Sequence, residues 1–354
     1  MPLSPAQFRE SNPSCFFLDP SDPEAIDQYL RTRGVLGSGD RVRAASKAGD
    51  GNMNCTLRVT TGACSFIVKQ SRPWVEKYPQ FEAPWDRACV EAEFYQLVST
   101  SRSAAGRMPR LIDFNPLARV LVLEDLGEAA DYSSLYRGDT ISGQEIAVLA
   151  GFLSELHGTF GEASAATALR NHAMRELNHA HIFVIPLAQD NGIALDAITP
   201  GLAAAAQTLK SDEAFCRGAA SLGRSAYLAE GRCLVHGDFF PGSVLRTPGG
   251  PKVIDPEFGH FGRAEWDVAV FLAHLLVSGQ TPKQWRAWLD AYAAPSGFDE
   301  ELMLKLAGVE VMRRLLGYAQ LPINHGIERK TLLLELSRNL VLQPGMSLLA
   351  DPSY

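Results

Sequence analysis

Three carboxylates, Asp238, Asp255 and Glu257, lie within LVHGDFFPGSVLRTPGGPKVIDPEF (residues 234–258), each flanked by apolar residues, glycine or proline. Acids in such surroundings do not form a solvated acidic face. SVLRT and PKVI read as short strands joined by Pro-Gly-Gly, a hairpin signal. Paired strands run ~4.8 Å apart, so the loop before the first strand and the residues after the second should lie side by side. That predicts the three carboxylates in one site, with Gly237 and Gly242 permitting tight turns. Carboxylates so close together repel one another. A divalent cation removes the cost, and oxygen-only donors favour Mg²⁺, which combines carboxylates with substrate phosphates. Asp255 and Glu257, spaced i and i+2, are the expected metal ligands, and Asp238 is left to take a proton from a hydroxyl.

The first part of the chain offers complementary groups. Lys69 is a lone charge in the β-like run FIVKQ. It follows GDGNMN (Gly49, Gly51, Asn52 and Asn54) and precedes a helical pattern carrying Glu91 and Glu93. A glycine loop over phosphates, a strand lysine on those phosphates and a helix glutamate orienting the lysine are the parts of a kinase phosphate cradle. Their order, followed by HGD and D-x-E, predicts ATP as phosphoryl donor together with Mg²⁺.

These groups need elements to hold them. SDPEAIDQYLRTRG reads as a short helix that Ser21 can cap. RVRAASKA, CTLRVTT and ACSFIVKQ read as a meander of strands, DRACVEAEFYQLVS as a helix, and RLIDF and RVLVLEDL as two further strands. Beyond residue 127, QEIAVLAGFLSELHGTF, EWDVAVFLAHLLVSG, PKQWRAWLDAYAA and DEELMLKLAGVEVMRRLLGYAQ carry apolar residues at helical spacing. The expected fold is α+β, with a strand-rich nucleotide-binding lobe over 1–126 and a mainly helical catalytic and acceptor-binding lobe over 127–354. Glu124 to Glu128 is a hinge candidate.

The 354 residues include 46% hydrophobic and 21% charged residues, a globular composition. A formal net charge of −7 argues against nucleic acid or an anionic membrane as partner. Six scattered cysteines without a C-x-x-C pair suggest reduced thiols in a cytoplasmic protein. MPLSPAQFRE lacks the features of a signal peptide. His179 and His181 lack a third ligand and read as ordinary histidines. His236 and Asp267 read as groups that orient the 236–238 loop, and Trp266, Trp285 and Trp288 as packing.

LVHGDFFPGSVL, VIDPEF and FLSELHGTF resemble the catalytic loop, metal-binding segment and L-x-x-L-H helix of the aminoglycoside phosphotransferase and choline kinase superfamily, which has a protein-kinase-like, two-lobed fold. GDGNMN, the stretch from SFIVKQ to FYQLV with its long insertion, Ser243, and AGVEVMRRLLGYAQ are similar to the 5-methylthioribose kinases within that group. The resemblance spans roughly residues 20 to 345. It implies Asp238 as catalytic base, Asp255 and Glu257 as magnesium ligands and Lys69 on the ATP phosphates. Glu91 would partner Lys69, with Glu93 the rival. The glycine loop and Glu124 to Leu126 would hold the nucleotide, with Glu124–Leu126 as adenine hinge, and Arg313 and Arg314 would face the sugar. It further implies a small-molecule hydroxyl acceptor, 5-methylthioribose going to its 1-phosphate, a role in methionine salvage and a homodimer. One segment departs: after DPEF the chain runs GHFGRAEWDVAVFL, closer to the general phosphotransferase pattern, at the border of the acceptor pocket. The competing readings are an aminoglycoside- or choline-type acceptor and a nucleotide-binding regulator without turnover. The intact set of Lys69, Asp238 and D-x-E counts against the regulator.

Overall fold

The computed structural model describes residues 5–49, 51, 53–161 and 169–350, so Asn52 lies outside the described residues. The chain forms two compact units, strand-rich and mainly helical, in an α+β architecture. One unit runs to Glu128 and also takes in Asp255–Phe258. The other holds Ala129–Ile254 and the chain from Gly259 onward. Chain order alone assigned 255–258 to the helical part. Ion pairs from Asp255 and Glu257 to Lys69 and Arg87 bind the segment into the strand-rich unit instead. Among the described residues no helix is long and apolar enough to cross a membrane.

The strand-rich unit is built on an antiparallel sheet ordered Val42–Lys47, Cys55–Thr61, Ser65–Gln70, Val120–Glu124, Leu111–Asn115. Side chains alternate between the faces of a strand. Val68 therefore joins Leu57, Val59, Val120, Val122 and the helix residues Ile26 and Leu30 in one apolar cluster. Lys69 faces the other side, where the Arg87–Val98 helix brings Glu91. The Pro23–Thr32 helix is capped by Asp22, whose carboxylate accepts from the Ala25 N–H at 2.9 Å. Ser21, the expected cap, donates to Asp19 instead, because Pro23 occupies the first helical turn and shifts the cap by one residue.

In the helical unit every residue of the Ala264–Val277 helix is buried. It packs against the Glu300–Leu316 helix, which packs in turn against Ile327–Leu342. The last pair meets at Gly308. A Cβ there would lie 2.7 Å from the Ser337 carbonyl oxygen and 2.9 Å from the Leu340 Cβ. The Ser337 hydroxyl also donates to the Gly308 carbonyl at 2.6 Å. This close approach holds the helix that carries Arg313 and Arg314. The expected hairpin is present: Val244–Thr247 pairs with Gly250–Val253 across Pro248-Gly249.

Gly308→Ala should force the two helices apart and destabilise the protein by ~1–3 kcal/mol, the cost of overpacking a filled core. Chemical denaturation measures it. An unchanged unfolding midpoint would show that the helices do not depend on the glycine.

Candidate functional site

Within the strand-rich unit, five expected residues form one cluster. The Lys69 ammonium is buried, 2.8 Å from Glu91 Oε2 and 2.8 Å from Asp255 Oδ1. The partner is thus Glu91; Glu93, two residues along the helix, is exposed. Burial alone would lower the lysine pKa, but Asp255, Glu91 and Glu257 together hold it well above the usual range. The Asp255 backbone is left-handed (φ 59°), uncommon for a residue with a side chain, and its carboxylate stays half-exposed. Glu257 is buried, and its Oε2 accepts from the Asn54 amide at 2.8 Å and lies 3.4 Å from Arg87 Nε.

Arg87 was not anticipated from the sequence. Its guanidinium is buried and donates to the Asn54 side-chain oxygen (2.9 Å) and to the carbonyls of Arg72 (2.7 Å), Pro84 (2.8 Å) and Met53 (2.7 Å). It ties the end of the glycine loop to Glu257. Gly49 and Gly51 are exposed, with open space where a Cβ would sit, and Gly49 is left-handed. Glu124 bonds to Arg110 through its side chain, and Leu126 is half-buried. Arg58 holds the stretch after them, bridging to Asp125 at 2.9 Å, to Glu128 at 2.6 Å and to the Gly127 carbonyl at 2.6 Å.

Among the described residues no group of three or more His, Cys, Asp or Glu side chains forms a metal-binding cluster. A site completed by phosphate oxygens would not show as one. The donors do suit a cation: Asp255 and Glu257, two residues apart, bring carboxylate oxygens together, and the Asp255 carboxylate is half-exposed.

Within the helical unit, the 236–238 loop is held from below. The buried Asp267 carboxylate accepts the His236 N–H at 2.6 Å and the Gly237 N–H at 2.9 Å, and meets His157 Nε2 at 3.2 Å. Burial pushes its pKa up, but the hydrogen bonds it accepts from His157 and from the His236 backbone, together with the neighbouring imidazoles, prevail and hold it low. Trp266 Nε1 donates to the Gly237 carbonyl at 2.8 Å, and His236 Nε2 faces the Ile254 carbonyl at 2.9 Å. Gly237 sits at φ 85°, a conformation glycine adopts without strain. The loop so fixed presents Asp238.

Asp238 Oδ1 lies 3.2 Å from the Arg314 and 3.5 Å from the Arg313 guanidinium. Both arginines are buried, and both reach Glu310, Arg314 Nε at 2.6 Å and Arg313 Nη1 at 3.1 Å. Glu310 meets His274 Nε2 at 3.2 Å, and His274 Nδ1 meets the Tyr136 hydroxyl at 2.5 Å. Arg314 also lies over the Phe240 ring, 4.7 Å from its centroid. Arg313 Nε is buried without a hydrogen-bond partner among the described residues. Glu310, His274 and Tyr136 were missed. The available signal was a glutamate three and four residues ahead of the two arginines, the spacing at which helical side chains meet.

The expected site residues thus fall into two groups. Lys69, Glu91, Asn54, Asp255 and Glu257 meet in the first unit; Asp238, Arg313 and Arg314 meet in the second.

Burial, reinforced by Arg314 and opposed by Glu310, lowers the His274 pKa to about 4. The folded chain therefore keeps this imidazole neutral, while the unfolded chain protonates it near its usual 6.5. The group's contribution is fully present above 6.5 and is lost as pH falls towards 4, by about 2 kcal/mol between pH 7 and pH 5. Denaturation of wild type and His274→Gln at those two pH values should show the stability gap moving in the variant's favour by about that amount. An equal gap at both pH values would reject a neutral buried imidazole.

Residues 45–304 match the family model described as phosphotransferase enzyme family. The chain is 26% identical over 383 aligned residues to a methylthioribose kinase of Erwinia tasmaniensis, covering 92% of this chain and 93% of that protein. It is 29% identical over 270 residues to the methylthioribose kinase of Citrobacter koseri, covering 71% of this chain but 64% of that protein's length. In fold it is similar to a choline kinase of Streptococcus pneumoniae, with a TM-score of 0.51 at 15% identity over 90% of this chain and 98% of the other. With the family model spanning most of the sequence, the chain belongs to the phosphotransferase enzyme family and is an enzyme that transfers a phosphoryl group to a hydroxyl acceptor.

Proposed function

We propose that the protein is an ATP-dependent kinase of a neutral sugar, 5-methylthioribose, and forms its 1-phosphate. The observation that carries the choice of acceptor is the balance of charge around Asp238. Arg313 and Arg314 are matched by Asp238 and Glu310, with His274 neutral beside them. Both carboxylates are already engaged by guanidinium groups. A cationic acceptor such as choline or an aminoglycoside would be desolvated next to two arginines with no carboxylate to spare. A neutral polyol meets no such penalty, and guanidinium donors suit its oxygens. The identity to methylthioribose kinases supports the same acceptor.

Asp238 is the catalytic base. It takes the proton of the anomeric hydroxyl as that oxygen attacks the γ-phosphorus, and the bond from the γ-phosphorus to the bridging oxygen breaks to release ADP. Lys69, oriented by Glu91, holds the phosphates, and Gly49, Gly51 and Asn54 belong to the phosphate loop. Glu124 and Leu126 flank the adenine. Asp255 and Glu257 hold Mg²⁺, with the half-exposed Asp255 carboxylate the more available and Glu257 oriented by Asn54 and Arg87. A magnesium ion, when bound, supplies neutralisation of the phosphate charge.

A panel of 5-methylthioribose, ribose, choline and an aminoglycoside, each with ATP and Mg²⁺ and read by product mass and ³¹P NMR, tests the acceptor. The thiosugar should be phosphorylated at its anomeric hydroxyl. Turnover of choline or the aminoglycoside with the thiosugar refused would overturn the proposal. Asp238→Asn should lower kcat by about 10²–10⁴ with KM for ATP nearly unchanged; near-normal turnover would remove Asp238 as the base.

A further inference from the structure

Arg313 and Arg314 are neighbours in sequence, yet their surroundings differ. Arg314 places Nε on Glu310 Oε1 and Nη2 on Asp238, with its guanidinium over Phe240. Arg313 uses Nη1 on Glu310 Oε2 and reaches Asp238 only at 3.5 Å, and its buried Nε is unmatched. Glu310, itself fully buried, gives one carboxylate oxygen to each arginine. Behind it the protons have a consistent arrangement. A neutral His274 donates from Nε2 to Glu310 Oε1 and accepts the Tyr136 hydroxyl at Nδ1. All of these groups belong to the helical unit.

We propose that Glu310, backed by His274 and Tyr136, is a positioning residue that assigns the two arginines different tasks: Arg314 fixes Asp238, and Arg313 offers its free Nε–H to an oxygen of the acceptor. The tasks rest on the reading of Asp238 as the base. An orphaned N–H in a buried guanidinium costs free energy unless a ligand meets it, so the bound acceptor completes the site. Glu310 sets the direction of both forks, since each guanidinium is planar and is oriented by the oxygen it bonds. Glu310 is fully buried and acts through the arginines it holds.

The test is steady-state kinetics of the whole chain with ATP, Mg²⁺ and 5-methylthioribose. Glu310→Gln preserves shape and removes the charge. It should raise the acceptor KM by about tenfold or more, the value of one charge-assisted hydrogen bond, and leave KM for ATP within about twofold. Arg313→Ala should act mainly on the acceptor KM and Arg314→Ala mainly on kcat. Tyr136→Phe deletes one hydroxyl at the far end and should shift the acceptor KM in the same direction, by about two- to fivefold. A folded Glu310→Gln with an unchanged acceptor KM, or with both KM values rising together, overturns the proposal, as do arginine variants with identical effects. If Glu310→Gln fails to fold, Tyr136→Phe decides, and an unmoved acceptor KM sinks the relay. Refusal of 5-methylthioribose by the wild type would refute the acceptor instead. The relay is then judged by ¹⁵N NMR of wild-type His274 at neutral pH, where a protonated Nε2 and bare Nδ1 support it and an imidazolium or the opposite tautomer overturns it.

Discussion

A guanidinium removed from water must be met by carboxylates or carbonyls, because an uncompensated buried charge costs several kcal/mol. That requirement organises each of the two clusters. Arg87 directs its donors to four nearby carbonyls and Asn54, and holds Glu257 beside them. Arg313 and Arg314 divide Glu310 between them and reach Asp238. In each place a buried guanidinium fixes the carboxylates beside it.

The elements around these charges follow from the same need. Asp238 is presented by a loop whose backbone hangs on Asp267, itself rooted in a helix buried on every side. The helix bearing the arginines is clamped at Gly308, where two backbones meet with no room for a side chain. Rigid supports of this kind suit phosphoryl transfer, in which catalysis consists of positioning and charge neutralisation rather than covalent chemistry.

Much of this was legible in the sequence, and the limits have physical causes. The five-stranded sheet and the long helices follow from apolar periodicity, and the Pro-Gly turn marked the hairpin after Asp238 correctly. Lys69 could be singled out because an ionisable group on an apolar strand is costly. The choice between Glu91 and Glu93 could not be read, since it depends on which face of a helix meets the sheet. Nor could the membership of Asp255–Phe258, which is set by an ion pair to a residue 186 positions away. The cap at Asp22 rather than Ser21 turned on one residue of register. His274 and Glu310 stayed hidden because they lie on different helices, 36 positions apart, and helical spacing alone does not say which polar residues two packed helices bring together. Their meaning appears only when the helices are packed and the polar atoms meet.

The claim that the site around Asp238 carries no net charge is tested most directly by binding without turnover. Calorimetric titration of the wild-type protein, with Mg²⁺ and a non-hydrolysable ATP analogue, can compare 5-methylthioribose with choline and an aminoglycoside. Balanced arginines predict measurable affinity for the neutral thiosugar and little for either cation. Tighter binding of a cation than of the sugar would contradict the claim.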